Sequence, residues 1–179
     1  MDVQSDSQTG GALFVVDMQA CYLNLYKDQE YVERRIGSVN RAIREARAKG
    51  MPVIFIEHEF TGALMRLVSG LFLKGAGIRG RDGFHIDERV DKSAAEPVYL
   101  KTKEDLFSVN SLAERLKKDG IENVLLSGQD GLYCIKGSAR GARRRGFKVS
   151  ILDSCVLASN DRKWRLEKAA LESEGVRII

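Results

Sequence analysis

Residues 121–154, "IENVLLSGQDGLYCIKGSARGARRRGFKVSILDS", decide the fold. "IENVLLSG" (121–128) is a short apolar run closed by glycine, and "FKVSILDS" (147–154) is a second one. Between them come a glycine-broken turn and a helical pattern over 132–145, weakened in intrinsic propensity by Gly137 and Gly141. Strand, helix and strand in that order predict a parallel pair joined by a crossover.

The same rhythm continues on both sides. Upstream, "ALFVVDM" (12–18) is a buried strand, and "EYVERRIGSVNRAIREARAKG" (30–50) places Val32, Ile36, Val39, Ile43 and Ala46 on one helix face, with Gly50 as a stop. "MPVIFIEHE" (51–59) and "EPVYLK" (96–101) are further strands, and "NSLAERLKKDG" (110–120) is a helix capped by Asn110 or Ser111 and ended by Gly120. Downstream, "DRKWRLEKAALESEG" (161–175) is a helix and "VRII" a last short strand. Strands that are apolar throughout and separated by helices imply an α/β fold. The expected form is a three-layer α/β/α sandwich whose mostly or fully parallel sheet has about six strands in Rossmann-like order. Residues 60–95 break the rhythm, being glycine-rich and partly apolar. Their first part is expected to form a helix or lid over the carboxyl ends of the strands. One domain is expected over 11–179, preceded by a flexible leader over 1–10.

Composition narrows the function classes. At 179 residues, with 44% hydrophobic and 30% charged residues, the chain is neither disordered nor collagen-like. No apolar run reaches membrane-spanning length, and the polar start "MDVQSDSQTGG" is unlike a signal peptide, so a cytoplasmic location is expected. Three cysteines with no CxxC pair argue against a disulfide framework and a cysteine-rich zinc site. The net charge of +4 is mild. Arg140, Arg143, Arg144 and Arg145 cluster, but no recognition motif accompanies them, so a solvated helix face is preferred to a nucleic-acid patch.

Parallel sheets carry their functional groups at the carboxyl ends of strands. Asp17, Lys101 and Cys134 follow or end the first, third and fourth strands and would converge on one rim. Cys134 follows Gly128 and Gly131 at an expected helix start, where free amides and the helix dipole would lower a thiol pKa and hold an oxyanion. The alternative is a small buried hydrophobe, and position alone leaves the two open. Cys155 reads as structural, following a strand without a glycine turn, and Cys21 lies near the rim. A nucleophile needs a base. His58 and His85 are the only histidines, and His58, within "EHE", reads as a partner for its carboxylate neighbours. Asp17, desolvated at the end of a buried strand, is the better base. For a supporting cation, chemistry alone does not separate Lys101 from Lys103.

Three motifs in order resemble the isochorismatase-like superfamily of cysteine hydrolases, which includes nicotinamidases and carbamoylsarcosine amidases. "ALFVVDMQACY" is similar to the opening strand ending in Asp-Met-Gln, with an aromatic residue, Tyr22, five places after the aspartate. "LKTKEDLFSVNSL" is similar to a second motif in which a lysine precedes a phenylalanine by six places, which selects Lys101 with Phe107. "GQDGLYCIKGSARGARRRGF" is similar to the nucleophile motif. The resemblance implies Asp17 as base, Lys101 as supporting cation and Cys134 as nucleophile. It also implies a cis peptide at Gln129–Asp130 and an oxyanion hole from the amides of Asp130 and Cys134. Gln19, Tyr22, Phe60, Phe107 and Tyr133 are the candidate substrate-binding residues.

The expected activity is hydrolysis of a small amide or carbamoyl-type substrate, with no cofactor. No metal is expected, because "IEHEFTG" lacks the Asp-x-His set of metal-dependent nicotinamidases. A homodimer or homotetramer is expected from the same resemblance, and no membrane or nucleic-acid partner. The chain departs from the pattern at Ala20-Cys21, where Asn-Asp is usual, and at Gly131, where threonine is common. These departures motivate two alternatives, a catalytically lapsed binding or scaffold protein and a vinyl-ether hydrolase of the isochorismatase type.

Overall fold

The computed structural model describes residues 10–179. The expected leader therefore lies outside the described residues, apart from Gly10. Strands β1 (Gly11–Val16), β2 (Val53–His58), β3 (Val98–Lys101), β4 (Asn123–Gly128), β5 (Lys148–Val156) and β6 (Arg177–Ile178) form one sheet in the order β3-β2-β1-β4-β5-β6. Every neighbouring pair is parallel, as the strand–helix–strand rhythm predicted.

The helices are α1 (Ala20–Leu23), α2 (Gln29–Ala48), α3 (Ala63–Phe72), α4 (Leu112–Lys118), α5 (Lys136–Arg144) and α6 (Asp161–Ser173). Successive β1 side chains point to opposite faces. Ala12, Phe14 and Val16 join a core with Leu112 and Leu116 of α4, Ala139 and Ala142 of α5, and Trp164 and Leu171 of α6. Leu13 and Val15 join a second core with Val32, Ile36, Val39, Ile43 and Ala46 of α2. Both faces of the central strand are dry, which is why its sequence shows no polar alternation. No helix among the described residues is long and apolar enough to cross a membrane.

Several elements differ from expectation. Ser111 stands at the start of α4, yet its backbone is left-handed (φ 61°) and its side chain makes no capping bond. Cys155 lies inside β5, which extends past a register shift opposite Leu126 and Gly128. Within 60–95 the expected helix forms as α3, but of its residues only Ser69 is buried, and Leu64, Leu67, Leu71 and Phe72 are exposed. The segment that crosses the rim is 77–87. Cys21 donates its N–H to the Gly83 carbonyl (2.8 Å), Asp87 donates to Met18 (2.8 Å) and Phe60 donates to Gly77 (2.8 Å).

The arginine cluster is largely consumed by ion pairs. Arg140 reaches Glu167 (2.9 Å) and Glu174 (2.6 Å), while Arg144 and Arg145 reach Asp105 (3.4 and 3.2 Å). The Asp105 carboxylate lies so close to α5 that a side chain at Gly141 would overlap it, which accounts for a glycine inside that helix.

Candidate functional site

The sheet order reverses at β1, whose neighbours β2 and β4 leave it toward opposite edges. Open α/β sheets form their crevice at such a point. Asp17 is the first residue beyond β1, with φ 53°, and its N–H donates to the Ile56 carbonyl (2.9 Å). Gly128 ends β4 at φ 107°, and any Cβ there would overlap the Val16 backbone. From this close approach Gln129 donates its N–H to Val16 (2.9 Å) and its side-chain amide to the Asp17 carbonyl (2.7 Å). The turn that follows β4 is thereby fixed to the residue that follows β1.

The Gln129–Asp130 peptide is cis, as the resemblance implied. The Asp130 carboxylate is the hub of the turn. It accepts from Leu132 N (2.8 Å), Tyr26 OH (3.1 Å) and Ser159 N (2.7 Å), so three segments are tied to one side chain. The chain then makes one wide helical turn, in which Ile135 N donates to the Asp130 carbonyl (3.0 Å), and enters α5. Cys134 lies within that turn.

Asp17, Lys101 and Cys134 meet. Lys101 Nζ donates to Asp17 Oδ2 (2.7 Å) and to Cys134 Sγ (3.1 Å), and all three residues are buried. Asp17 Oδ1 is buried without a hydrogen-bond partner. Lys103, the rival cation, is exposed. Burial pushes the Cys134 thiol well above its ordinary pKa, and the Asp17 charge adds to this against the opposing pull of Lys101. The expectation of a lowered thiol pKa is therefore corrected: desolvation outweighs the helix start and moves the thiol pKa upward. Burial alone favours a neutral amine at Lys101, but the Asp17 charge, with the hydrogen bonds to Asp17 and Cys134, outweighs it and raises its pKa.

His58 is the residue that sequence reasoning missed. Its ring stands at the triad, with ligand atoms of Asp17, His58 and Cys134 within 4.8 Å of one another. Burial, helped by the Lys101 charge, pulls its pKa down to about 4. Its only sequence signal was its place at the end of a buried strand, since its register opposite Lys101 is set by tertiary pairing. This cluster has the donor types of a metal site. The Lys101 ammonium, however, already bridges two of the three ligands, so the residues present do not fit a metal ion.

The other expected site residues divide. Tyr22 and Phe60 border His58, with ring centroids 6.1 and 4.7 Å from the imidazole, and Tyr22 OH lies 3.2 Å from His58 Nδ1. Gln19 is fully buried and spends its side chain on backbone, donating to the His58 (3.2 Å) and Phe84 carbonyls and accepting from His58 N (2.6 Å). Its side chain clamps β2 to the crossing segment. Phe107 packs in the core between Phe14 (6.4 Å) and Phe147 (5.3 Å). Tyr133 is exposed and borders a separate surface groove of about 390 Å³ with Leu132, Lys136 and Leu166, which no triad residue lines.

The family model for the isochorismatase domain matches residues 11–179. The chain belongs to the isochorismatase family. It is 22% identical over 150 residues to a secreted isochorismatase effector of Verticillium dahliae, covering 84% of this chain and 74% of that protein. It is 35% identical to the maleamate amidohydrolase of Pseudomonas putida over 69 residues, 38% of this chain and 32% of that one. Its fold is similar to the N-carbamoylsarcosine amidase of Thermoplasma acidophilum, with a TM-score of 0.79 at 21% identity over 94% of each chain.

Both departures from the isochorismatase family pattern have structural counterparts. A Cβ at Gly131 would lie 2.9 Å from the Trp164 ring, so the indole occupies the room that a larger residue at 131 needs. At the rim, Gly77 N donates to Cys21 Sγ (3.4 Å), and a Cβ on Gly83 would lie 2.8 Å from Cys21 N and 3.3 Å from Ala20 Cβ. Small side chains at 20 and 21 let the crossing segment lie directly on α1.

Restoring the family residue with Gly131→Thr is expected to destabilise the protein by roughly 2–4 kcal/mol through overpacking. Combined with Trp164→Leu, the loss measured by urea unfolding should be smaller than the sum of the singles by about 1 kcal/mol or more. His58 gives a pH signature. Its folded pKa is depressed, so its contribution to stability is complete above pH 6.5 and is lost as pH falls toward about 4. The loss amounts to roughly 3 kcal/mol, and His58→Gln should remove that part of the pH dependence in urea midpoints taken between pH 7 and 4.

Proposed function

We propose that this isochorismatase-family protein is a cysteine hydrolase that cleaves the C–N bond of a small amide or carbamoyl compound. One observation carries the reading: the buried Cys134 sulfur stands within 4.8 Å of a buried carboxylate that keeps one oxygen, Asp17 Oδ1, without a partner. In the proposed reaction Cys134 Sγ attacks the carbonyl carbon as Asp17 takes the thiol proton. Thiolate formation and carbon–sulfur bond formation thus proceed together in the proposed step. The amides of Asp130 and Cys134 receive the developing oxyanion. Asp17 then passes its proton to the leaving nitrogen, and ammonia or an amine departs as the thioester forms. Water, deprotonated by Asp17, attacks the thioester, releases the acid and restores the thiol. Lys101 holds the carboxylate and the sulfur in register throughout. The C–N bond chemistry of the maleamate amidohydrolase supports the reading.

Cys134→Ala and Asp17→Asn are each expected to lower kcat/KM for small amides by roughly a thousandfold or more. Asp17→Asn should also leave no acylated Cys134 in mass spectra of quenched reactions, and undiminished turnover by Cys134→Ala would refute the thiol mechanism. The exposed apolar side of α3, with Leu64, Leu67, Leu71 and Phe72, supports the expected self-association. Leu67→Lys should shift the species seen by analytical ultracentrifugation toward monomer, and an unchanged distribution would remove α3 from the interface.

A further inference from the structure

The geometry points to an uncharged ligand: the site takes a neutral carboxamide with a small apolar body and rejects substrates that carry a carboxylate. This inference rests on the proposed hydrolase reading and narrows its substrate class.

The charges that reach the site are few. Among the described residues the buried carboxylates and amines are Asp17, Glu57, Asp87 and Lys101; Glu57 accepts from Ile86 N (3.1 Å) and Asp87 is paired with Arg89 (2.7 Å). At Cys134 itself stand one carboxylate, Asp17, and one buried ammonium, Lys101, bound to each other at 2.7 Å. Of the two arginines of the crossing segment, Arg79 is exposed and paired with Glu59 (3.0 Å), and Arg81 is exposed with its guanidinium beside Gly75. What remains around the pair is aromatic or neutral: Tyr22, Phe60 and the His58 imidazole, with the Gly77 backbone and Cys21 closing the rim.

A carboxylate reaching the sulfur leaves water and, among the described residues, finds no buried cation other than Lys101, which is already paired. Drawing Lys101 away from Asp17 would leave a second buried anion unpaired, and neither cost is repaid. A neutral amide meets the opposite situation. Its N–H groups supply what Asp17 Oδ1 lacks, and its apolar part lies against the rings of Tyr22 and Phe60. The same logic separates this chain from a protein acting on maleamate, whose substrate bears a carboxylate, and disfavours an isochorismate-type dianion.

Paired alkylating agents test this without requiring turnover. Iodoacetamide and iodoacetate differ chiefly in charge and form the same S–CH2 bond with loss of iodide. Rates of Cys134 labelling in the folded protein, followed on the Cys134 peptide by mass spectrometry, are divided by those of the urea-unfolded chain at the same pH. The normalised ratio of neutral to anionic reagent is expected to be about tenfold or more, the equivalent of one pK unit of discrimination. A ratio near or below one overturns charge selection and leaves the thiol hydrolysis reading standing, because that reading falls only on Cys134→Ala. No labelling by either reagent, while the unfolded chain is fully labelled, also overturns the inference, since it means that small amides do not reach the sulfur.

Discussion

The buried pair of Lys101 and Asp17 is the constraint to which the rest of the site answers. Two charges removed from water carry a penalty of several kcal/mol each unless they are closely matched and hydrogen-bonded. Here the match is a 2.7 Å contact between the ends of β1 and β3, two strands apart, with β2 between them. That contact requires all three strands to end at the same level, which parallel register supplies: Val16 lies opposite Ile56, and His58 opposite Lys101. Lys101 then offers a second N–H to Cys134, so the sulfur is placed by the same ammonium that neutralises the carboxylate. Removing one member would strand the other in the core, so the pair is a positional device more than a source of stability.

Much of this was legible in local pattern. The run "ALFVVDM" shows a strand dry on both faces, and the spacing of Val32, Ile36, Val39, Ile43 and Ala46 shows which face of α2 is buried, as found. Asp17 and Cys134 stand out because a charged or reactive side chain ends an apolar run. Lys101 needed the motif spacing to separate it from Lys103. The illegible parts are non-local. His58 was assigned to its sequence neighbours because nothing in "EHE" reveals which strand lies beside it. Gln19 and Phe107 carry motif positions but serve the backbone clamp and the core, a distinction that depends on what packs against them. The covering of the rim was placed too early in 60–95, since an apolar helix is the natural candidate for burial, yet α3 faces outward and the glycine-rich 77–87 stretch makes the contacts.

The thiol pKa shows how two correct local arguments are ranked by environment. A cysteine in the first helical turn gains from oriented amides, and the same cysteine loses from burial beside a carboxylate. Cys134 has both, and burial is the larger effect. The consequence is mechanistic. A resting thiolate would need no base, whereas a resting thiol makes the adjacent carboxylate part of the attack itself. An unpartnered Asp17 Oδ1 is what such a shared proton requires.

The same balance explains why the substitutions at 20, 21 and 131 do not read as decay. A lapsed site tends to lose its buried charges first, because their desolvation cost is no longer offset by function. Here the costly elements are intact, and each departure is matched by a partner: Trp164 beside Gly131, and the 77–87 backbone on Ala20 and Cys21. Packing of this kind draws the rim segment close over a pair whose charges already cancel. The rim segment and the buried pair are thus fitted to one another by the same residues that depart from the family pattern.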